Sequence, residues 1–359
     1  IADPLRAEEL EYALSNCLSC RACTTECPSN VNLSLLKAEL LHARIKRTHL
    51  TSLQRLISSV DSIGRIGTKV PILANFLFDS RSVRHIFSKL FGLAYARPPL
   101  AFTRERFDHW FAKKHRNVMP PRRGSVILWD DTFVRYHEPH IGRAAVAVLE
   151  AAGFEVKLAG QRKCCGRPAF SVGNLDEAEK LGRHNLALLA SGPENEPVIF
   201  LEPSCYSMFA EDYRELKLPD AAGIAARCFL FEDFVGQLLE REPNALAFRP
   251  EQERIVIHAH CHARALTDPK AMQRLAANLP GRTATLLDTG CCGMAGSFGM
   301  MESKYELSLE VAGPLIKLVT SQPYGTTVVV SGTSCRHQVQ HLASVRTRHM
   351  AEVIADALA

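Results

Sequence analysis

From position 125 onward, short runs rich in apolar residues recur along the chain, as expected for strands buried on both faces. Segments with apolar residues at helical spacing separate these runs, for example Ile141–Ala152 and Leu175–Leu189. The predicted strands are Val126–Trp129, Glu155–Leu158, Val198–Leu201, Ile255–Ile257, Thr283–Leu287 and Thr327–Val330. Strands that alternate with helices predict parallel sheets in an α/β fold.

The segment before residue 125 has the apolar spacing of helices rather than of strands. In "LSLLKAELLHARI" (Leu33–Ile45) the apolar residues recur at helical spacing, and Asn32 is placed to cap the start. Pro71 and the pair Pro98-Pro99 punctuate the remainder of this segment. We therefore predict a helical region from Asn32 to about residue 114.

The α/β part of the sequence occurs twice. Asp131 and Cys261 are 130 residues apart, the two "CCG" motifs begin 127 residues apart, and Cys205 and Cys335 are again 130 apart. Three landmarks in such register indicate duplicated domains rather than a short-period repeat. Ligands of parallel sheets gather at the carboxyl ends of the strands, which is where these cysteines fall.

The stretch "NCLSCRACTTECPSN" contains four closely spaced cysteines, Cys17, Cys20, Cys23 and Cys27. Their spacing, C-x2-C-x2-C-x3-C-P, is the ligand pattern of bacterial two-cluster ferredoxins. Three thiolates on one compact loop can bind three irons of a 4Fe-4S cubane, and loop N–H groups can hydrogen-bond the sulfurs. Structural zinc sites instead use two C-x2-C pairs separated by a longer loop, so the spacing favours iron.

The ferredoxin pattern predicts a partner that the sequence does not contain. In two-cluster ferredoxins the fourth cysteine of one run ligates the other cluster, and no second run occurs in these 359 residues. Either the four cysteines hold one cubane together, or the partner run lies on a segment that precedes Ile1. We expect half a ferredoxin from a longer polypeptide, with the fourth ligand of the Cys17, Cys20 and Cys23 cluster left open.

These patterns divide the chain into four predicted segments. They are half of an α-helical ferredoxin-like domain (1–36), a basic helical segment (37–124), and two cysteine-rich α/β repeats (125–225 and 226–359). The predicted fold class is α/β, with two tandem Rossmann-like repeats preceded by the half-ferredoxin and the helical segment.

The second repeat presents four candidate ligands, Cys261, Cys291, Cys292 and Cys335. Vicinal cysteines crowd a tetrahedral zinc ion, whereas a cluster offers several metals within reach, so we predict a 4Fe-4S centre here. The first repeat has Asp131 in place of the leading cysteine and retains three thiols, Cys164, Cys165 and Cys205. Aspartate suits thiolate clusters poorly, so a cluster in the first repeat stays an open question.

Other residues near these cysteines have more than one interpretation. Three histidines lie beside Cys261, namely His258, His260 and His262. We expect ordinary polar contacts, with a proton donor or an extra ligand as the alternative for one of them. The glycines after the cysteine pairs, Gly166 and Gly293, are expected to let the backbone approach a bulky group. Cys228 has no counterpart in the other repeat and is predicted to be a core residue.

Charge and cysteine usage limit the possible partners. Residues 37–124 contain 18 Lys and Arg against 5 Asp and Glu, which indicates a solvated helical face or a surface for anionic lipid or an acidic protein. No nucleic-acid-reading module accompanies this charge, so we predict no nucleic acid partner. The longest apolar run, "VPILANFLF", is too short to span a bilayer but allows peripheral contact. Clustered cysteines without a disulfide framework predict a cytoplasmic protein, with contact at the inner face of the membrane left open.

The cysteine motifs resemble a known group of proteins. The two Cys-Cys-Gly repeats resemble the cysteine-rich domains of heterodisulfide reductase and of iron–sulfur subunits of glycolate oxidase, lactate utilisation and anaerobic glycerol-3-phosphate dehydrogenase. "CLSCRACTTECPSNVNLSLLKAE" and "DDTFVRYHEPHIGRAAVAVLEAAGFEV" look similar to the C-terminal iron–sulfur half of FAD-linked D-2-hydroxyacid dehydrogenases. The resemblance covers essentially the whole chain. It departs from heterodisulfide reductase at Met208 and Gln338, where that enzyme has a fifth cysteine in each repeat.

The resemblance implies an electron-transfer role. It implies FAD on a preceding domain or subunit outside this chain, oxidation of a D-2-hydroxyacid such as D-lactate, glycolate or D-2-hydroxyglutarate, and electron transfer to a quinone or other acceptor. Two alternatives remain open at this point. One is a thiol/disulfide reductase of the heterodisulfide reductase type, and the other is a zinc-bound assembly module.

Overall fold

The computed structural model describes residues 7–114 and 122–359. Residues 1–6 and 115–121, which fall in the first two predicted segments, lie outside the described residues. The helices of the N-terminal region are α1 (Glu8–Ser15), α2 (Cys23–Glu26), α3 (Leu33–Thr48), α4 (Ser52–Ser58), α5 (Val60–Gly67), α6 (Pro71–Asp79), α7 (Arg81–Phe91) and α8 (Phe107–Lys114).

Local capping explains where several of these helices begin and end. The Asn32 side chain accepts a hydrogen bond from the Leu35 N–H, which confirms Asn32 as the cap of α3. Thr51 forms a capping box with Gln54 at the start of α4. Pro71 does not end a helix but occupies the first turn of α6, where its missing N–H costs nothing.

The first α/β repeat contains a four-stranded parallel sheet with strand order β2-β1-β3-β4. Its strands are β1 (Ser125–Trp129), β2 (Glu155–Leu158), β3 (Val198–Phe200) and β4 (Cys228–Leu230). Its helices are α9 (Thr132–Tyr136), α10 (Pro139–Ala151), α11 (Arg167–Ser171), α12 (Leu175–Ala190), α13 (Pro203–Ser207), α14 (Tyr213–Glu215), α15 (Ala221–Ala225) and α16 (Phe231–Arg241). A π-helical turn, Met208–Asp212, directly follows α13.

The second repeat has the same architecture, with strand order β6-β5-β7-β8. Its strands are β5 (Glu253–His258), β6 (Arg282–Leu286), β7 (Thr327–Val330) and β8 (Thr347–Arg348). Its helices are α17 (Cys261–Leu266), α18 (Ala271–Ala277), α19 (Tyr305–Thr320), α20 (Thr333–Ala343) and α21 (Met350–Ala357). The two matching parallel sheets confirm the predicted α/β fold class with tandem repeats.

The two repeats share one hydrophobic core. Buried residues of β1 and α10 in the first repeat belong to the same apolar cluster as those of β5 and α21 in the second. Buried polar contacts cross the same interface: Arg336 pairs with Glu138 at 2.6 Å, and Glu202 accepts a hydrogen bond from the Thr333 N–H at 2.8 Å. Removal of either repeat would expose this core, so the repeats are expected to fold together.

Two short edge strands were not anticipated. β4 and β8 contain only three and two residues, so their apolar pattern is too brief to be distinguished from a loop. β4 lies beyond residue 225 and pairs with β3 of the first sheet, while the exact domain bounds stay a prediction. No helix in the described parts of the chain combines the length and hydropathy needed to cross a bilayer.

Candidate metal centres

The loop between α1 and α2 brings ferredoxin-type cysteines together. Ser19 and Arg21 both have left-handed backbone conformations, with φ of 51° and 65°, and these turns curl the loop around the thiols. Burial raises the pKa of the Cys20 thiol, and the charges of Cys261, Cys17 and Cys23 raise it further. Cys17, Cys20 and Cys23 therefore form one group of neighbouring thiols.

Cys27 has different surroundings. It ends α2, and the backbone N–H groups of Val31, Ser29 and Asn30 lower the pKa of its thiol by hydrogen bonding. A thiolate favoured in this way is prepared to bind a metal. Whether it completes the cubane of the other three cysteines or serves a neighbouring cluster is not decided by these contacts.

A buried ion-pair network ties this loop to the first repeat. The Arg21 guanidinium contacts Asp212 at 2.6 Å and Glu211 at 2.5 Å, and the Arg21 side chain is fully buried. Arg167 binds the second oxygen of Asp212 at 2.9 Å and donates to the Ser19 carbonyl at 3.3 Å. No periodicity or motif in the sequence pointed to this network, because its partners are about 190 residues apart.

The four candidate cysteines of the second repeat lie next to one another. They follow three strands at their carboxyl ends: Cys261 begins α17, Cys291 and Cys292 follow β6, and Cys335 lies in α20. A hydrogen bond with Cys291, together with burial, raises the pKa of Cys261. Cys292 interacts with both Cys291 and Cys335, and its pKa is also raised. The second sheet therefore brings the four thiols near one another, and their role as ligands of one cluster stays a prediction.

The three histidines around Cys261 have three different roles. His260 accepts a hydrogen bond from the His262 N–H at 3.1 Å and caps α17. His262 contacts the Ser19 carbonyl at 3.0 Å and thereby connects the second repeat to the loop between α1 and α2. His258 places a ring nitrogen within 4.8 Å of the sulfurs of Cys292 and Cys335.

The thiols of the first repeat are packed more tightly. The sulfurs of Cys165 and Cys205 are 2.9 Å apart, and a hydrogen bond with Cys165 together with burial raises the pKa of Cys164. Burial likewise raises the pKa of Cys165, whose side chain is 3 % exposed. A catalytic dithiol needs an accessible sulfur with a lowered pKa, so these surroundings do not favour the thiol reductase alternative.

Backbone conformation and close packing both require glycine at the third position of each Cys-Cys-Gly motif. Gly166 and Gly293 have φ of 81° and 80°, a region that side chains disfavour. A Cβ at Gly166 would be 3.2 Å from the backbone of Ala178, and one at Gly293 only 2.3 Å from the Ser308 carbonyl oxygen. The close approach that the sequence suggested for a bulky group is made to helix backbone instead, to α12 at Gly166 and to α19 at Gly293.

Strand register refines the relation between the two repeats. Leu128 pairs with Ile199 on β3, and Ile257 pairs with Val329 on β7. Ile199 and Val329 share the 130-residue offset of the cysteines that follow them, but Leu128 and Ile257 are 129 residues apart (257 minus 128). The central strands β1 and β5 are therefore related by an offset of 129.

This register changes the expected counterpart of Asp131. With an offset of 129, Asp131 corresponds to His260 and Cys261 to Thr132. Both Asp131 and His260 cap the helix that follows the strand, which agrees with this alignment. The expectation that Asp131 replaces the leading cysteine was off by one residue, because a motif comparison cannot detect a single-residue difference between a strand and its loop.

The loop between α1 and α2 and the second repeat face each other across a cavity. This cavity has a volume of about 300 Å³ and is lined by Cys17 of the loop and by Cys261. The basic residues that line it are Lys37, Arg167 and Lys304. Lys37 also donates to the Cys17 carbonyl at 2.6 Å. The sequence motifs did not single out these cations, which suit a group made negative by several thiolates.

The donor sets fit a thiolate-bound metal or cluster. Buried thiols that raise one another's pKa resist ionisation alone, and a multivalent metal centre neutralises several thiolates at once. Among the described residues, the group of His258, Cys292 and Cys335 meets the spacing required of metal ligands. Sulfur donors suit iron–sulfur clusters or zinc and not the oxygen-preferring magnesium and calcium.

Comparison with known proteins identifies the two repeats. The family model described as the CCG cysteine-rich domain matches residues 132–210 and 255–340, one match in each α/β repeat. The chain is 26 % identical over 309 residues to a subunit of the anaerobic glycerol-3-phosphate dehydrogenase of Escherichia coli (strain K12), covering 85 % of this chain and 76 % of that protein.

Two further relatives differ in length. The chain is 25 % identical over 367 residues to a D-2-hydroxyglutarate dehydrogenase of Pseudomonas putida, covering 97 % of this chain but only 34 % of the relative. It is 30 % identical over 171 residues to lactate utilization protein A of an Exiguobacterium species, covering 45 % of this chain and 68 % of that protein. This chain thus spans about a third of the D-2-hydroxyglutarate dehydrogenase.

The fold and the thiol groups define a duplicated cysteine-rich α/β protein with a cysteine-rich N-terminal loop packed against it. The chain belongs to the CCG cysteine-rich domain family. The resemblance that the Cys-Cys-Gly motifs predicted, to the iron–sulfur parts of these dehydrogenases, is thereby confirmed.

Proposed function

We propose that this chain is an iron–sulfur electron-transfer module of an FAD-linked dehydrogenase that oxidises a D-2-hydroxyacid. The observation that carries the proposal is that two thiol groups of separate origin face each other. Cys17 of the loop between α1 and α2 and Cys261 of the second repeat line the same cavity of about 300 Å³. His262, next to Cys261, contacts the carbonyl of Ser19 in that loop at 3.0 Å. Two redox centres held this close together are suited to pass electrons from one to the other.

The proposed ligands follow from the two groups of thiols. The ferredoxin-type centre is assigned to Cys17, Cys20, Cys23 and Cys27, and the second-repeat centre to Cys261, Cys291, Cys292 and Cys335. When bound, 4Fe-4S clusters supply one-electron transfer over a wide range of potentials. A further candidate group is formed by Cys164, Cys165 and Cys205 of the first repeat, in which the sulfurs of Cys165 and Cys205 are 2.9 Å apart.

The relatives support the part of the proposal that places the flavin outside this chain. The D-2-hydroxyglutarate dehydrogenase aligns with nearly all of this chain along only 34 % of its own length, which leaves room in that protein for a substrate-oxidising part. We assign FAD to such a domain or subunit outside this chain. Electrons then leave through the clusters to a quinone or another acceptor.

The test of the proposed function is the metal content of the anaerobically purified chain. We expect iron and acid-labile sulfide equivalent to at least two clusters, at about four irons each, and a paramagnetic signal upon reduction. Colourless protein with stoichiometric zinc and no sulfide, even after reconstitution, would instead support the zinc-bound assembly module. Turnover of disulfide substrates by iron-free protein would support the thiol reductase.

We also infer peripheral contact with an anionic membrane surface through the α5–α7 face. Eight of the fifteen large apolar side chains exposed in the described parts of the chain lie there: Ile66, Val70, Ile72, Leu73, Phe76, Leu77, Ile86 and Leu90. The exposed cations beside them are Arg65, Lys69, Arg81 and Lys89. An apolar face bordered by cations fits the inner face of a membrane, in agreement with the cytoplasmic location that the cysteines favour.

Substitution of Phe76 by Asp is expected to weaken binding to vesicles that contain anionic phosphatidylglycerol by at least about tenfold. Phe76 is 73 % exposed, and its burial in lipid contributes on the scale of a fully buried phenylalanine. Sedimentation with vesicles measures this, and Tyr324→Asp is the matched control because Tyr324 is fully exposed outside the α5–α7 face. Equal binding of both variants, or of wild type to neutral vesicles, would assign this face to a protein partner.

A further inference from the structure

The side chain of His258 is buried, yet the hydrogen bonds of the fold satisfy only one of its two ring nitrogens. It is the last residue of β5, is fully buried, and its Nε2 has no hydrogen-bond partner among the described residues. Its Nδ1 is held by the hydroxyl of Thr289 at 2.8 Å. A buried nitrogen without a partner destabilises a protein unless another group satisfies it.

The side chains nearest to His258 indicate which group satisfies its Nε2. One ring nitrogen of His258 lies within 4.8 Å of the sulfurs of Cys292 and Cys335. Since Thr289 occupies Nδ1, Nε2 is the nitrogen available to the thiol group. The four cysteines already supply one thiolate for each iron of a cubane, so a fifth protein ligand is not required.

The first repeat provides an internal comparison. By the strand offset of 129, His258 corresponds to Trp129, which is also buried at the end of its strand. The indole N–H of Trp129 likewise has no partner among the described residues. Trp129 belongs to the apolar cluster of the first-repeat cysteines. Val256, two residues before His258 and therefore on the same face of β5, belongs to the cluster of Cys292 and Cys335. Both repeats thus place a nitrogen at the same position, on the sheet face that carries the cysteines. Tryptophan nitrogen only donates hydrogen bonds, which favours a donor over a ligand at this position.

We propose that His258 donates a hydrogen bond from Nε2 to a cysteine sulfur of the second-repeat centre and thereby raises its reduction potential. Thr289 acts as a positioning residue, because donation of its hydroxyl to Nδ1 leaves the hydrogen on Nε2. Reduction adds negative charge to the thiolate-bound centre, and an N–H donor stabilises the more negative state. This inference rests on the proposed function, since it requires that a cluster binds there.

The test is a redox titration of the anaerobically purified chain, followed by EPR. His258→Leu is expected to lower the equilibrium constant for one-electron reduction of the second-repeat centre about tenfold, or about 59 mV, with iron content unchanged. His258→Gln retains an N–H donor and is expected to restore most of the wild-type potential. Thr289→Val is expected to shift the potential in the same direction as His258→Leu, by a smaller factor.

The possible failures are distinguishable. A wild-type chain without any cluster would contradict the proposed function itself. A cluster whose potential is the same in wild type and His258→Leu would contradict only the donor role. Iron loss from this centre in both His258→Leu and His258→Gln, with nitrogen hyperfine coupling present in the wild type, would make His258 a ligand and overturn the proposal.

Discussion

Substitution of Cys335 by Ser is expected to remove the second-repeat centre while the ferredoxin-type centre remains. Cys335 is 1 % exposed and follows β7, whereas the ferredoxin-type cysteines lie on the loop between α1 and α2. The chain should lose about four irons and one of its paramagnetic signals. Electron transfer from a reduced flavin partner to an acceptor should fall by about 100-fold or more, since changes merely around a metal ligand cost 10- to 100-fold.

The matched control for this variant is Cys228→Ser. Cys228 is also buried, at 6 % exposure, but it lies in β4 and its thiol donates to the Ile224 carbonyl at 3.2 Å. Iron content and electron transfer should stay at wild-type levels in this control. Cys205→Ser extends the comparison to the first repeat, where a further loss of iron would establish a third centre. If Cys335→Ser retained all iron and both signals, the second-repeat assignment would be wrong.

The α/β fold was predictable because each strand and helix can be recognised from the apolar spacing within its own segment. The sequence predicted the ends of β2 and β7 correctly, and β1, β3, β5 and β6 within two residues. The duplication added a second, independent indication, because the cysteines recur at matching positions after the strands. The same regularity predicted that the thiols of each repeat would meet, since the carboxyl ends of parallel strands share one edge.

The contacts between segments could not be predicted in this way. Arg21 and Asp212 meet across 191 residues, and nothing in the local pattern of either links them. The orphan nitrogen of His258 is likewise visible only in three dimensions, because neighbouring histidines in "HAHCHAR" have the same local sequence context but different partners. Residues that position a site across a tertiary interface carry no periodic signal.

The ion pairs of Arg21 show how strongly one contact between distant segments can contribute to stability. Its side chain is fully buried, and it is the group through which the ferredoxin-type loop pairs with Glu211 and Asp212 in the π-helical turn after α13. Asp212 is itself fully buried, so removal of the guanidinium leaves a buried carboxylate whose remaining ionic partner among the described residues is Arg167. Breaking a buried ion pair in this way costs far more than breaking one at the surface.

Arg21→Met is therefore expected to lower the free energy of unfolding by about 3–5 kcal/mol, and to slow electron transfer between the two centres as the loop loosens. Lys46→Met is the control, because Lys46 pairs with Asp176 at a similar 2.6 Å but both side chains are more than half exposed. That exposed pair should contribute no more than about 1 kcal/mol. Urea unfolding of anaerobically purified protein measures both variants, with the slope m checked for constancy. Equal, small losses for the two variants would show that the loop is held by its cluster and its other contacts rather than by Arg21.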